Sequence, residues 1–295
     1  MFHTQNQTIM SKIYTQAPLP FMGQKRRWSK DYKAVIINEF ADYHTFVDLF
    51  GGSGLLSQFT KSVRPDAKVI YNDYDDYQKR LQHIDTTNRL LKELRLILGN
   101  SHDNQRIIDL QRTQILDLFR KYENRGEFVD YISLSNSILF SGKYAASFSE
   151  IASHTFYNRI RTVDFNADGY LTDIDIVHCD YRQLVEQYKY QSGVCFIADP
   201  PYLSTQVSTY QCCWGLRDYL DVISSLKGAS YIYFTSTKSN IIELCEWIER
   251  ECSAELNPLH GAKRLNKYEN INYSASYMEV MLYKHKELNT RRNAA

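Results

Sequence analysis

Residues 45–73 read TFVDLFGGSGLLSQFTKSVRPDAKVIYND, and this stretch decides the fold. TFVDLF (45–50) is a short run of β-forming residues, GGSG follows, LLSQFTKSV (55–63) carries helical spacing, and AKVIYND (67–73) is a second strand. Strand, glycine turn, helix and strand in that order predict a parallel βαβ pair, and hence an α/β sheet.

Upstream, WSKDYKAVIINEF (28–40) predicts a helix with Tyr32, Val35, Ile36 and Phe40 on one side. Downstream the pattern changes. Residues 77–98 and 105–121 are helical in period, and 128–170 are mixed and rich in Ser, Asn and Tyr. Strands resume with DIDIVHCD (173–180), GVCFIAD (193–199), SYIYFTST (230–237) and YMEVMLYK (277–284). Helical patterns occupy 215–226 and 239–252. An α/β sheet is therefore expected to start, to be interrupted, and to finish. Residues 12–76 and 171–288 would form one discontinuous domain, and 77–170 an inserted, mainly helical subdomain.

Composition narrows the function classes. Lys and Arg total 35 against 34 Asp and Glu, so any polyanion site must be a local patch and not the field of the whole molecule. The six cysteines form no CxxC pair and none has His at ligand spacing, so no metal centre is expected and the thiols fit a reducing, cytosol-like compartment. The start, MFHTQNQTIMSK, lacks the apolar core of a signal peptide, and no apolar run approaches the ~20 residues of a membrane span. The 23 tyrosines either pack at the core or offer stacking surfaces.

Two loops carry chemistry. In the first, Asp48, Phe50, Gly51, Gly52, Ser53 and Gly54 lie between a strand and a helix, where glycines let the backbone turn tightly and approach a ligand. Asp73 ends the next strand, the place from which a carboxylate accepts ribose hydroxyls in doubly wound folds. The loop has neither the GK[ST] ending of a P-loop nor a clean GxGxxG. That favours a nucleoside without a pyrophosphate, and S-adenosylmethionine fits. The alternative is a plain strand-to-helix turn. Asp180 ends another strand and either accepts an adenine amine or caps the helix RQLVEQY.

The second loop is FIADPPYLS (196–204). Asp199 leaves an apolar strand, Pro200 and Pro201 fix the backbone and bring no N–H, and Tyr202 supplies a ring. A planar exocyclic amine donates one hydrogen to Asp199 and the other to the Pro200 carbonyl, while Tyr202 lies against its ring. Two acceptors out of the ring plane favour a pyramidal nitrogen. The freed lone pair attacks an electrophilic methyl, and the carboxylate stabilises the charge that develops.

These motifs resemble those of the Dam-type, α-group DNA adenine methyltransferases. Asp199-Pro200-Pro201-Tyr202 matches the family's DPPY, and Phe50 to Gly54 its FxGxG loop, with Asp48 upstream. Pro20 to Lys25 resembles PFxGxK, Asn72-Asp73 the ND pair, and Asp180-Tyr181 the Asp-aromatic pair before DPPY. The resemblance spans roughly 18–75 and 173–284. It implies a Rossmann-like methyltransferase sheet with 77–170 as target-recognition subdomain, and site-specific methylation of adenine N6 in double-stranded DNA. It also implies S-adenosylmethionine held by Phe21, Gly23, Lys25, Asp48, Phe50, Gly51, Gly52, Ser53, Gly54, Asp73, Asp180 and Tyr181. The chain has no counterpart of the Asn/Arg/Gly-rich stretch and VPFG-like run of the members that read GATC, so no recognition sequence is implied.

An adenine in a duplex reaches Asp199 only when flipped out. Candidate backbone grips are Lys25, Arg26, Arg27 and Lys30, of which Lys25 serves either DNA or the cofactor; Arg159 and Arg161; and Lys263, Arg264 and Lys267, read as part of the polar loop HGAKRLNKYENIN; the alternative for each cluster is an ordinary solvated face. Trp214 and Tyr210 to Cys213 either line the base pocket or pack. The expected protein is a cytoplasmic monomer or weak dimer, in a bacterial cell or phage-infected host. Cytosine or RNA adenine as substrate, and a non-catalytic nucleic-acid-binding module, are the alternatives.

Overall fold

A computed structural model describes residues 14–99, 104–140, 142–201, 214–272 and 275–286. Tyr202 and Tyr210 to Cys213 lie outside them. The chain divides into two compact units. One takes Lys30–Gln78 and the chain from Ile174 onward; the other takes Lys79–Asp173 and the N-terminal segment through Ser29. The sequence pattern puts the insertion at 77–170 and groups the N-terminal segment with the sheet; the structure groups that segment with the insertion.

The strands are β1 (Thr45–Asp48), β2 (Lys68–Asn72), β3 (Asp175–Val177), β4 (Val194–Ala198), β5 (Ser230–Ser236), β6 (Lys263–Asn272) and β7 (Ala275–Lys284). Among the described residues the helices are α1 (Ser29–Asn38), α2 (Leu55–Val63), α3 (Tyr77–Gln82), α4 (Ile84–Leu98), α5 (Asp109–Asn124), α6 (Tyr131–Ile138), α7 (Phe148–Ala152), α8 (Tyr181–Tyr188), α9 (Leu216–Leu226) and α10 (Ile241–Glu251).

The first unit carries one seven-stranded sheet of order β3-β2-β1-β4-β5-β7-β6. Strands β1 to β5 pair in parallel, and β7 runs antiparallel between β5 and β6. The chain moves outward from β1 to β3, returns to β4 on the other side of β1, and moves outward again. The order reverses between β1 and β4, which is where an open α/β sheet leaves a crevice at its carboxyl edge.

Strands β1, β4 and β5 are buried along their whole length, as a sheet covered on both faces requires, and so read as apolar runs and not as alternation. One face, with Val47, Leu49, Phe196, Ala198, Tyr231 and Tyr233, packs on α8, α9 and α10. On the other, Tyr32 of α1 stacks at a tilt on Phe59 of α2 and Phe234 of β5, and its hydroxyl bonds Thr60 at 2.7 Å. Strand β6, read from sequence as a loop, is an edge strand: Lys263, Arg264, Asn266 and Tyr268 are exposed, so it has no apolar face to announce it, and its backbone pairing with β7 makes it a strand.

The second unit is helical. Leu90, Leu91 and Leu94 of α4 and Ile115 and Phe119 of α5 are buried. At its centre Arg80 Nε reaches both carboxylate oxygens of Asp130 at 3.1 and 3.0 Å. The same guanidinium donates to the Pro20 carbonyl at 2.8 Å and to Ser133 Oγ at 3.1 Å. Asp130 also caps α6 by accepting the Ser133 N–H.

Candidate active site

The β1 and β4 ends are side by side. Leu49 N–H donates to Ile197 O at 2.9 Å, and Asp48 pairs in register with Ile197, two residues before Asp199. The loop after β1 (Phe50 to Gly54) and the corner after β4 (Asp199, Pro200, Pro201) therefore leave the sheet at one edge.

In the loop, Gly52 and Gly54 take φ of +50° and +72°, a conformation that suits glycine, and Gly54 opens α2. Gly51 is needed for a different reason: a Cβ there would lie 2.1 Å from the Tyr71 ring. That ring is buried, and its hydroxyl sits 2.7 Å from the Gly52 carbonyl and 2.9 Å from Asp73 Oδ1. Ser53 is buried beside them.

Asp73 is buried and already engaged. Its Oδ1 accepts the Tyr77 N–H at 2.7 Å and its Oδ2 the Gln78 N–H at 2.8 Å, so it caps α3. With the nearby Tyr71 hydroxyl counted, Oδ2 has one lone pair with no partner among the described residues. Asn72 laces three strand ends together. Its Nδ2 donates to Leu49 O and Cys179 O, each at 3.0 Å, and its Oδ1 accepts Cys179 N–H at 3.1 Å. Sequence reasoning does not single out Tyr71, Asn72 or Ser57 as site-building residues; Asn72 stands in the ND pair, but only position 73 draws a role there.

Asp48 is completely buried. Ser57 Oγ donates to its Oδ2 at 2.7 Å, and Oδ1 has no hydrogen-bond partner among the described residues. Burial pushes this carboxyl up to about 7; the Ser57 bond opposes the shift and the charge of Asp199 adds to it. Asp199 and Pro201 are half-buried and Pro200 is buried. On β5, Tyr233 holds its proton far above the usual phenol range, through burial first, with Cys245 and then Asp199 adding to it.

Asp180 caps α8 by accepting the Arg182 N–H at 2.8 Å, and its other oxygen lies 3.3 Å from the Arg182 guanidinium, which also reaches Asp221 at 3.2 Å. Of its two sequence readings, the cap is present in the fold. Tyr181 packs its ring 5.1 Å from Phe50, and Trp214 packs edge-on to Phe50 at 5.5 Å and to Tyr219 at 5.8 Å. Trp214 is thus a packing residue of an aromatic cluster beside the glycine loop.

The PFMGQK segment belongs to the helical unit. Gly23 has φ +78°, Lys25 is buried with Nζ donating to Gly23 O at 2.9 Å, and Phe21 is half-buried. The Gln24 side chain accepts Ala17 N–H and donates to Leu19 O, each at 3.2 Å. Arg26 and Arg27 are exposed on the 3₁₀ turn that follows. The three β6 cations have acidic neighbours: Lys263 meets Glu39 at 2.7 Å, Arg264 Glu246 at 3.6 Å, and Lys267 Asp31 at 2.5 Å. Among the described residues no group of acidic, His and Cys side chains could hold a metal, and no helix is long and apolar enough to cross a membrane.

Residues 21–227 match the sequence model of the D12 class N6 adenine-specific DNA methyltransferases. A protein of Haemophilus influenzae strain Rd, named "Putative methyltransferase", is 33% identical over 281 residues, which cover 92% of this chain and 93% of that protein.

Proposed function

We propose, from the premise that this chain belongs to the D12 class N6 adenine-specific DNA methyltransferase family, that its methyl donor is S-adenosylmethionine and that the Asp199 corner holds the target amine. The reaction is transfer of a methyl group to N6 of adenine in DNA. The observation that carries the finer reading is the parallel pairing of β1 with β4, which brings the glycine loop and the acidic corner to one sheet edge.

The residues there fit such a donor. Gly51 leaves backbone bare where no Cβ has room, Asp73 keeps one lone pair for a ribose hydroxyl, and Phe50 and Tyr181 give an aromatic wall. Gly52, Ser53, Gly54 and Asp180 complete the set on this unit, and Asp48, which is fully buried, belongs to it only without direct contact. Phe21, Gly23 and Lys25 lie on the other unit, and their part rests on the motif they resemble. When bound, the donor supplies an electrophilic methyl on a sulfonium.

The chain's own work is to present the amine. Asp199 and the Pro200 carbonyl accept its two hydrogens, which turns the lone pair out of the ring. The Asp199 carboxylate stabilises the positive charge that forms on nitrogen. The methylated amine then loses its proton to water, so no strong base is required. The adenine must be extruded from the duplex first. Arg26 and Arg27 are suited to grip phosphates. Lys263, Arg264 and Lys267 can do so only by releasing Glu39, Glu246 and Asp31. The helical insertion is the natural seat of target recognition, and the cytoplasm the natural location.

The test is incubation of the full chain with isotope-labelled donor and unmethylated DNA, followed by digestion to nucleosides. N6-methyladenine is expected. Label in methylcytosine, or in adenine of RNA alone, would reassign the substrate, and label in no nucleoside would refute the reading. Asp199→Ala should keep donor binding and lose turnover.

A further inference from the structure

The mechanism leaves one acid of the site without a task. Asp48 has no accessible surface, so it reaches the reaction through its field and not by contact. Burying a carboxylate with an unsatisfied oxygen is costly, yet the fold keeps one at the end of β1. Its surroundings define what it can do. Ser57 of α2 donates to Oδ2. The pairing with Ile197 and the alternation of the strand bring position 199 to the same face of the sheet as Asp48. Asp199 and Asp48 are close enough for the charge of one to oppose ionisation of the other.

The other titratable groups around the pair stay neutral across the working range. Tyr32 on α1 and Cys195 on β4 are fully buried and hold their protons well above their usual values, and burial does the same to Tyr233 on β5. Of these groups, Asp48 is the one whose carboxyl is brought to about 7.

We propose that Asp48 is a positioning residue that acts through Asp199: it is a second carboxylate whose ionisation deepens the negative field at the Asp-Pro-Pro corner, so that adenine methylation accelerates as Asp48 gives its proton to solvent. This rests on the reading of the corner as the amine site. The physical reason is that, of two neighbouring carboxylates, the fully buried one holds its proton the longer. Asp199 is then the anion that receives the amine. When Asp48 also ionises, its charge favours the cation forming on nitrogen. The Ser57 bond sets where this happens, because a hydroxyl donating to the anion eases ionisation.

The experiment is single-turnover methylation by the full chain, at saturating S-adenosylmethionine and DNA, between pH 5.5 and 9. The wild type should show a limb that rises about tenfold through neutral pH, the effect of one nearby buried charge in a medium of intermediate dielectric. Asp48→Asn should abolish the limb and hold the rate at the acid plateau. Ser57→Ala should move the limb to higher pH. A limb unchanged in Asp48→Asn, or moved to lower pH in Ser57→Ala, would overturn the proposal. Should Asp48→Asn not fold, carbon-13 titration of labelled aspartates in the wild type decides. The buried carboxyl displaced by Ser57→Ala must titrate near neutrality, and a midpoint near 4 overturns the proposal. A wild type that methylates adenine with a flat profile defeats this inference alone, whereas one that yields no methyladenine defeats the reading beneath it.

Discussion

Gly51→Ala tests the packing that shapes the glycine loop. The new methyl would sit 2.1 Å from two carbons of the Tyr71 ring and 2.9 Å from the Asn72 carbonyl. Backbone strain is not the issue, since Gly51 is absent from the glycines with positive φ. The ring cannot swing aside cheaply, because it is buried and its hydroxyl is held by Gly52 O and Asp73 Oδ1. Overpacking of this kind costs about 1–3 kcal/mol, and loss of the hydroxyl's bonds adds roughly 1 kcal/mol. A destabilisation of about 2–4 kcal/mol is expected in urea unfolding, together with weaker donor binding by calorimetry. The cause is specific, so it can be removed. In a Tyr71→Ala background the same Gly51→Ala change should cost clearly less, with only the 2.9 Å approach to the Asn72 carbonyl left, a non-additivity in a double-mutant cycle. Full additivity, or a Gly51→Ala chain as stable as wild type, would refute the steric argument.

Four further outcomes can be measured. Asp130→Asn should destabilise by about 3–5 kcal/mol in urea unfolding, because it leaves the Arg80 guanidinium buried without its counter-charge; replacing both residues by apolar ones should cost much less. Folding stability should carry a pH-dependent contribution from Asp48. Its folded carboxyl sits at about 7, above its unfolded value, so the contribution is full below the unfolded range and is lost as pH rises from about 4 to about 7. Asp48→Asn should flatten that slope in denaturation series run at pH 5 and pH 8. Arg26→Gln with Arg27→Gln should lower the slope of log affinity for DNA against log salt by about 0.9 for each phosphate these arginines neutralise, and a Lys263→Gln change should lower it less, since Lys263 already faces Glu39. Gly193→Ala should destabilise by roughly 1–2 kcal/mol, because Gly193 has φ +64° and a Cβ would lie 2.4 Å from the His44 ring; a thermal melt checks it.

Where local pattern and burial agree, the sequence can be read closely. Helix α2 begins and ends where the spacing of Leu55, Leu56 and Phe59 puts it, and β4 and β5 are the apolar runs that a doubly covered sheet demands. Strand β6 escapes such reading because edge strands are specified by backbone pairing, and Lys263 to Tyr268 carry no period-two apolar signal. The grouping of residues before 30 with the insertion is hidden for another reason. The Arg80–Asp130 pair spans 50 positions and its link to Pro20 spans 60, distances at which no local rule operates. The second duty of Asp73 is also illegible: a carboxylate at a strand end reads equally well as a ligand group and as a helix cap, and here the cap takes most of its hydrogen-bonding capacity.

The tie from Arg80 to the Pro20 carbonyl has a practical corollary for building chimaeras of this enzyme. A chimaera that exchanges only Lys79–Asp173 would replace Arg80 while leaving behind the leader that its guanidinium fastens. The exchangeable cassette is discontinuous: both the leader through Ser29 and the segment Lys79–Asp173 must come from the same donor sequence.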